Sequence, residues 1–476
     1  MSKKPNILIL MSDQQRADGM GCAGNAVIKT PNLDKIAREG VRFDAAYTVS
    51  PLCIPARASF VSGLYPHNHN MWKNAGKLPK DDETFFHHLQ KEGYFTAHVG
   101  KSHYYPHHPG EHLSQHESYM HARGLDCVHE TTGPWATLWT DSHMTDYWEK
   151  EGLLKFFRED YAERLKIRGR PGLFDKMDTC AVWPSSLPEE EFLDSYIGRK
   201  AVEFIQSYKE AKPLCLFVGF GGPHEPWDAP GTYASMYDPE RMPALIPAGL
   251  PGRWVPRRVV ERIKQERLAE NMSKKDIQKA AANYYGKISL IDDWIGKILS
   301  VFENLEGPEK TLIIFWSDHG EMLGDHQCLY KQVFYESSIH VPLVVRWSSR
   351  IQGGKTCKSL IEIIDIYPTL LEAIGAEPSK RCFGRSLWSL LLNPEKPHRD
   401  AVFSQVSSFG HHNVMARNRQ YKYAVDETGS GYLLYDLIED PLEQNNLTGH
   451  PEMNQIEQNL KDTLLSFLVE KHLRLE

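Results

Sequence analysis

The feature that most constrains the fold is a series of short, mostly apolar runs separated by helix-like stretches. The apolar runs lie at residues 6–10, 95–99, 213–219, 311–316 and 341–345. Helical patterns cover residues 83–93, 189–209 and 275–303. A strand that is apolar at every position is typical of a parallel sheet with helices on both faces. The alternation therefore predicts an α/β protein with a large, mostly parallel sheet flanked by helices.

The pattern changes after about residue 375. Short alternating segments at 401–404, 421–424 and 432–435 indicate an antiparallel sheet, and a helix is predicted over about 452–471. We therefore expect a catalytic domain at 1–375 and a smaller C-terminal α+β subdomain at 376–476. The aromatic-rich stretch at about 104–188 is interpreted as an irregular insertion that forms part of a pocket wall.

Charge and targeting signals narrow the class of protein. The formal net charge is −7 with mixed signs along the chain, which argues against a nucleic-acid partner. No apolar run approaches the roughly 20 residues of a membrane-spanning helix, so we expect no membrane partner. The run at 7–11 is too short for the core of a signal peptide, and the eight cysteines form no C-x-x-C pair. We expect a cytoplasmic protein, unless a leader was removed, and the sequence leaves a homo-oligomer open.

Polar clusters follow four of the predicted strands. They are Asp13-Gln14, Lys101-Ser102-His103, Pro223-His224 and Ser317-Asp318-His319. The carboxyl ends of parallel strands meet at one edge of a sheet, where active sites of this fold class lie. A single cluster would be read as a loop that faces solvent. Four clusters at four strand ends predict an active site at this edge.

Residues 53–63 read CIPARASFVSG. Here the sequence resembles the type I, formylglycine-dependent sulfatases of the alkaline phosphatase superfamily, whose signature is C-x-P-x-R followed by a small residue and Gly. The match is carried by Cys53, Pro55, Arg57 and Ser62-Gly63. The resemblance implies an alkaline-phosphatase-like sandwich, and conversion of Cys53 to formylglycine (3-oxoalanine) by a formylglycine-generating enzyme. Taken alone, the pattern would also fit a buried thiol at the start of a helix.

The chemistry of formylglycine explains why a cysteine is needed at this position. The hydrate of the aldehyde carries two hydroxyl groups, and one of them attacks sulfur and takes up the sulfate. The second hydroxyl then loses its proton, the carbonyl re-forms and sulfate is expelled. A serine lacks that second hydroxyl. The resemblance therefore implies a hydrolase that cleaves the S–O bond of sulfate monoesters.

The resemblance also implies a site for one divalent cation. Its ligands are Asp13, Gln14, Asp318 and His319, together with the modified Cys53. Hard oxygen ligands favour calcium, manganese or magnesium, and calcium is the first choice. Many members of the family carry Asp and Asn at the positions of Gln14 and His319. We expect Gln14→Asp to tolerate or tighten calcium, since it adds an anionic ligand.

Three further motifs supply cations and proton donors. Lys101 and His103 form the G-K-x-H element, His224 lies in P-H-E-P, and Lys331 begins K-Q-V-F-Y-E. By resemblance, Lys101 and Lys331 contact sulfate oxygens, and Arg57 supports the hydrated aldehyde and the metal-bound oxygens. His224 is the expected acid for the leaving alcohol and His103 contacts the second hydroxyl. These two histidine roles can be exchanged.

The substrate is expected to be a small-molecule or saccharide sulfate ester, and nothing in the sequence separates aryl, choline and carbohydrate sulfates. Trp227 and Asp228, which closely follow His224, are candidates for the wall of the substrate pocket. One alternative function is a phosphonate monoester or phosphodiester hydrolase of the same superfamily, because such enzymes often share the Asp-Gln and Asp-His ligand pairs. An inactive binding protein on this fold is an alternative of another class, and the retained motif residues argue against it.

Overall fold

The computed structural model describes residues 4–79, 82–168, 181–249, 252–270, 272–408 and 410–471. Its strands are β1 (Asn6–Asp13), β2 (Val41–Phe43), β3 (Ala46–Tyr47), β4 (Phe95–Gly100), β5 (Cys127–Glu130), β6 (Leu214–Pro223), β7 (Thr311–Ser317), β8 (Leu343–Arg346), β9 (Lys355–Cys357), β10 (Ile361–Glu362), β11 (Ala401–Ser408), β12 (His411–Asn418), β13 (Tyr421–Val425) and β14 (Gly431–Asp436). Its helices are α1 (Pro31–Arg38), α2 (Cys53–Ser62), α3 (Pro66–His69), α4 (Phe85–Lys91), α5 (Glu117–His121), α6 (His143–Lys150), α7 (Leu154–Arg168), α8 (Leu193–Ser207), α9 (Arg257–Glu266), α10 (Lys274–Glu306), α11 (Glu336–Ile339), α12 (Ile366–Ile374), α13 (Trp388–Leu392) and α14 (Asn454–Glu470). Within these ranges, no helix combines the length and apolar character that crossing a membrane requires.

The main sheet has eight strands in the order β5-β4-β6-β1-β7-β8-β2-β9. Neighbouring strands are parallel except at β8, which runs antiparallel to both β7 and β2. The central strand β1 pairs with β6 on one side and with β7 on the other. The predicted mostly parallel sheet flanked by helices is therefore confirmed.

The two faces of β1 belong to different hydrophobic cores. Ile7 and Ile9 pack into the core that contains Phe60 of α2. Leu8 and Leu10 pack into the core that contains residues of α8 and α10. Since both faces are covered, every position of the strand is buried, which explains its uninterrupted apolar run.

The stretch at 104–188 is more regular than its sequence suggests. It contains α5, α6 and α7, and its strand β5 extends the main sheet by pairing in parallel with β4. As the edge strand, β5 is mostly half-buried, so its sequence, CVHE, lacks the apolar run that identifies the inner strands. Part of the predicted insertion, 169–180, lies outside the described residues.

The C-terminal region forms the predicted antiparallel sheet, in the order β11-β12-β13-β14. Helix α14 packs against it, with the ring of Phe467 stacked on Phe403 at 3.9 Å between centroids. Phe467 also packs edge-on against Tyr65, 4.8 Å away, close after the end of α2. The sheet thus shares a core with the segment that carries Cys53. A domain boundary at residue 375 remains a prediction.

Candidate active site

Four of the predicted metal ligands meet at the carboxyl edge of the main sheet. Asp13 ends β1, Asp318 and His319 directly follow the adjacent parallel strand β7, and Cys53 is the first residue of α2. One ligand atom from each of these residues lies within 4.8 Å of the others. The Cys53 sulfur is 3.1 Å from Nε2 of His319 and 3.8 Å from Oδ1 of Asp13. All four side chains are buried.

Gln14, the fifth predicted ligand, directly follows β1 and is fixed by hydrogen bonds to Asp318 and Lys331. Its backbone adopts a left-handed conformation with φ of 71°. The backbone N–H of Gln14 donates to Oδ1 of Asp318 at 3.0 Å. Its side-chain Oε1 accepts a hydrogen bond from Nζ of Lys331. The Gln14 side chain therefore faces Lys331, beside the cluster of the other four residues.

Arg57 lies one helical turn after Cys53, so both residues project from the same side of α2. Its Nε donates to Asp318 at 2.7 Å and one terminal nitrogen donates to Asp13 at 2.8 Å. The other terminal nitrogen donates to the backbone carbonyl of Lys101 at 2.8 Å. The planar guanidinium thus fixes two carboxylates from two strands relative to the first turn of α2. This bridging position accounts for the spacing of four residues between Cys53 and Arg57.

The site strongly favours a negative charge at position 53. Burial alone would raise the pKa of the Cys53 thiol, but positive charge on His319, Lys101 and Lys331 outweighs it. The pKa of the thiol is consequently held well below its usual range. An oxygen nucleophile formed at the same position would experience the same field.

His103 lies just after β4. It adopts a left-handed backbone conformation with φ of 53°, and its side chain interacts with the Cys53 sulfur. Burial and the neighbouring Lys101 lower the pKa of His103 to about 4. The imidazole is therefore neutral near pH 7 and able to accept a proton. Lys101 itself donates from Nζ to the carboxylate of Asp13.

Lys331 and His224 form a hydrogen-bonded pair through which a proton can pass. Nζ of Lys331 lies 2.8 Å from Nε2 of His224. Nδ1 of His224 donates to the carbonyl oxygen of Glu225 at 2.7 Å. This leaves Nε2 of His224 directed at the lysine. The structure therefore brings all the residues of the predicted chemical machinery to one site.

Two buried glutamates at the site were not predicted from the sequence. Glu225 accepts a hydrogen bond at 3.0 Å from Nε2 of Gln14, and Glu321 accepts one from the same atom. Burial, and in addition the neighbouring Glu225, raises the pKa of Glu321 to about 7. Each glutamate adjoins a predicted motif, in P-H-E-P and in D-H-G-E, and this adjacency is the signal that could have identified them.

Comparison with known proteins shows to which family the chain belongs. Residues 5–376 match the family model described as Sulfatase. The chain belongs to the sulfatase family. Its residues 324–470 also match the model described as N-sulphoglucosamine sulphohydrolase, C-terminal.

Individual relatives cover nearly the whole of this sulfatase chain. An arylsulfatase of Clostridium perfringens is 30% identical over 98% of this chain and 94% of that protein. An ulvan-active sulfatase of Formosa agariphila is 29% identical over 98% of this chain and 81% of that protein. The structure of a phosphonate monoester hydrolase of Agrobacterium radiobacter has a TM-score of 0.78 at 24% identity, and covers 98% of this chain and 96% of that chain. At that identity the last comparison supports the fold alone, which is the predicted alkaline-phosphatase-like sandwich.

In this sulfatase a cleft of about 210 Å³ opens beside Lys101, His103 and His224. Its other lining residues are Asn74, Pro106, His107, Gly133, Pro134, Trp135, Ala136 and Trp139. A Cβ atom on Gly133 would lie 2.8 Å from Nζ of Lys101, so the glycine leaves room for that lysine. The wall of the cleft comes mainly from the stretch at 104–188, as the sequence predicted.

Trp227 and Asp228 do not form the expected pocket wall. Both are buried, and neither lines the cleft. Trp227 stacks on Tyr330 with 6.0 Å between ring centroids. Asp228 uses one oxygen to accept from Lys287 at 2.9 Å and the other to accept from Tyr161 at 2.7 Å. Both carboxylate oxygens of Asp228 therefore have partners in the protein interior. The aromatic residues that do line the cleft are Trp135 and Trp139.

Asp228 contributes to the site indirectly, through Lys287 of α10. Nζ of Lys287 also donates to the backbone carbonyls of His224 at 2.8 Å and of Pro226 at 3.0 Å. The buried Lys287–Asp228 ion pair thus fixes the backbone on both sides of Glu225. Sequence reasoning missed Lys287 because it is one of several lysines on a long helix.

The donor set fits a divalent cation. Two carboxylates, from Asp13 and Asp318, supply hard anionic oxygens, and His319 supplies a ring nitrogen. The mutual separations within 4.8 Å are suitable for contact with one common ion. Such a mixed set of oxygen and nitrogen donors suits calcium or manganese.

Proposed function

We propose that this sulfatase cleaves the S–O bond of sulfate monoesters with a formylglycine formed from Cys53. The observation that carries the proposal is the position of Cys53, 3.1 Å from His319 and 3.8 Å from Asp13, in a field that favours negative charge. Maturation then requires a formylglycine-generating enzyme as a partner. A plain cysteine would not carry out both transfer and release of sulfate.

Asp13, Gln14, Asp318 and His319 would hold one divalent cation, with calcium as first choice and manganese or magnesium as alternatives. When bound, the ion supplies positive charge next to the nucleophile and the sulfate. Arg57 keeps Asp13 and Asp318 in register through bonds of 2.8 and 2.7 Å. Its proposed role is thus to position the ligands, in addition to any contact with the hydrated aldehyde.

Two lysines and His103 act on the reacting group itself. Lys101 and Lys331 both act electrostatically on position 53 and supply charge to the sulfate oxygens, where negative charge grows as the S–O bond breaks. His103, neutral because its pKa is lowered to about 4, is suited to accept the proton of the second hydroxyl. Loss of that proton re-forms the carbonyl and releases sulfate.

His224 is the proposed proton donor to the leaving alcohol. It is half-buried and lines the cleft, so its ring can reach a bound ester. Its Nε2 accepts from Nζ of Lys331 at 2.8 Å, so the ammonium of Lys331 is the source of the proton that His224 passes on. The proton thus passes to the leaving oxygen, and the alcohol departs neutral.

The lining of the cleft favours the sulfate ester of a neutral or anionic ring alcohol, such as a saccharide. Trp135 and Trp139 offer flat surfaces for a sugar or aryl ring, while Lys101 and His224 carry or accept positive charge. None of the described residues that line the cleft is an aspartate or glutamate. A cationic alcohol such as choline would therefore find no carboxylate partner there. The similarity to an ulvan-active sulfatase agrees with a saccharide substrate.

A phosphonate monoester or phosphodiester hydrolase is the second candidate, because Gln14 and His319 are the ligand choices that such enzymes often share. The test measures kcat/KM for 4-nitrophenyl sulfate, a 4-nitrophenyl phosphonate and a panel of sulfated saccharides in parallel. We expect turnover of the sulfates to exceed that of the phosphonate, with at least one saccharide among the good substrates. Faster turnover of the phosphonate would assign the chain to the second candidate. Cys53→Ala serves as the control for background hydrolysis.

A further inference from the structure

The side chain of Gln14 is enclosed by two carboxylates that no motif assigns. Nε2 of Gln14 donates to Oε2 of Glu225 at 3.0 Å and also to Oε2 of Glu321. On its other side, Oε1 of Gln14 accepts from Nζ of Lys331. All of these side chains are buried. Every contact that fixes the direction of the amide therefore comes from the protein itself.

The orientation of Glu321 is fixed independently of Gln14. Its Oε1 atom accepts hydrogen bonds from the backbone N–H of Leu323 at 2.8 Å and of Tyr330 at 2.6 Å. Because two donors converge on Oε1, that position requires an acceptor. The Oε2 atom is therefore the one that must face Gln14. In the ionised form of Glu321 this atom is an acceptor, and the amide N–H of Gln14 is the donor that it meets.

We propose that Glu225 and Glu321 are positioning residues for Gln14, which hold its amide with Oε1 on the lysine side and exclude a carboxylate from position 14. The inference depends on the proposed function only in that Gln14 contributes to the metal site. A carboxylate at position 14 would set an anionic oxygen against two buried glutamates and lose both donated hydrogen bonds. Like charges at such separations in a buried site repel strongly.

This inference reverses the expectation from sequence that an acidic residue at position 14 would tighten calcium. The added ligand charge is opposed by repulsion from Glu225 and Glu321, which the sequence alone did not reveal. Substitution by Glu tests the point more cleanly than substitution by Asp, because Gln14→Glu keeps the shape of the side chain and changes only the charge and the donor.

The geometry also defines an exchange that restores the pair. In Glu321→Gln, the amide oxygen has to take the position of Oε1, because two backbone donors point at it. The amide nitrogen then faces residue 14. In the single variant Glu321→Gln this nitrogen meets the amide donor of the native Gln14, but in the double variant Gln14→Glu/Glu321→Gln it meets a carboxylate. The double variant has the same net charge as the wild type and one carboxylate–amide pair in reversed order.

The experiment titrates CaCl₂, and in parallel MnCl₂, into purified metal-free protein by calorimetry and records the thermal unfolding of the same samples. We expect Gln14→Glu and Glu321→Gln each to weaken metal binding about 10- to 100-fold, as is usual for residues that orient metal ligands. Both single variants should unfold at lower temperature, and the double variant should recover a large part of both losses. The matched control Glu240→Gln, on an exposed surface residue, should match the wild type.

Each outcome bears on the proposal. Binding by Gln14→Glu that equals or exceeds that of the wild type would overturn it, as would a double variant no better than the weaker single variant. If Gln14→Glu does not fold, a folded double variant supports the pairing, and a double variant that also fails to fold contradicts it. No substrate is present, so the result stands apart from the identity of the ester. Equal metal affinity in all the variants, with losses in unfolding temperature alone, would remove Gln14 from the metal site.

Discussion

Nζ of Lys331 lies 2.8 Å from Nε2 of His224, so a proton can pass directly between the two groups. Lysine can only donate in this contact, since its ammonium has no acceptor. His224 in turn donates from Nδ1 to the carbonyl of Glu225 at 2.7 Å. The proposed proton donor to the leaving group and a residue proposed to contact the sulfate are thus linked directly.

The role of His224 depends on the leaving group. A 4-nitrophenolate needs little protonation, whereas a sugar or alkyl alcohol has a much higher pKa and needs a proton as it leaves. We expect His224→Ala to reduce kcat/KM for alkyl and saccharide sulfates far more than for 4-nitrophenyl sulfate. The measurement is the slope of log kcat/KM against the pKa of the leaving group. A slope equal to that of the wild type would remove His224 from the acid role and make Lys331 or His103 the next candidate.

Lys101 should behave differently, because it serves the sulfate rather than the leaving group. Lys101→Ala is expected to lower kcat/KM for every substrate by a similar factor, roughly two to three orders of magnitude for an oxyanion-type contact. The same leaving-group series provides the measurement. A loss confined to substrates with poor leaving groups would contradict the assignment.

Lys287 is predicted to hold the backbone around His224 without contacting substrate. Lys287→Met leaves Asp228 buried without its cationic partner, which we expect to lower the free energy of unfolding by about 3–5 kcal/mol. Because the carbonyls of His224 and Pro226 lose a donor, the leaving-group slope should also shift toward that of His224→Ala. The control is Lys279→Met, an exposed position on the same helix. An altered stability with a wild-type slope would make Lys287 purely structural.

The sequence predicted the central strands because they are buried on both faces, as in β1 with Ile9 on one side and Leu10 on the other. It missed β5 because an edge strand that is half-buried has no continuous apolar run. The candidate site residues were predicted from motifs, of which several follow strands, while Cys53 and Arg57 lie on α2. The residues that support the site were not predicted, because the contact between Lys287 and Asp228 joins residues 59 apart in the chain.

The misplaced pocket wall and the revised expectation for position 14 have a common origin. Trp227 and Asp228 were expected in the pocket because they follow His224 in sequence, but proximity along the chain does not fix the direction of a side chain. Asp228 instead points to the buried Lys287. In the same way, the effect of an acidic residue at position 14 could not be judged before Glu225 and Glu321 were known to flank it.

Removal of the metal should stop catalysis. Asp318→Ala removes an anionic ligand and a partner of Arg57, so we expect loss of the divalent cation together with loss of turnover. Elemental analysis of the purified variants measures this directly, with Asp462→Ala on the exposed face of α14 as a control that keeps the ion. Full activity after exhaustive chelation, with no divalent cation detected, would contradict the assignment of the metal site.

The central claim is that Cys53 acts as formylglycine, and mass spectrometry of its peptide tests this most directly. In enzyme produced together with a formylglycine-generating enzyme, the peptide should lose its thiol and carry an aldehyde that reacts with a hydrazide, in proportion to the specific activity. Cys53→Ala should fold and be inactive, and Cys53→Ser should at best transfer sulfate once and stall. A fully active preparation in which the peptide retains an unmodified Cys53 thiol would contradict the account.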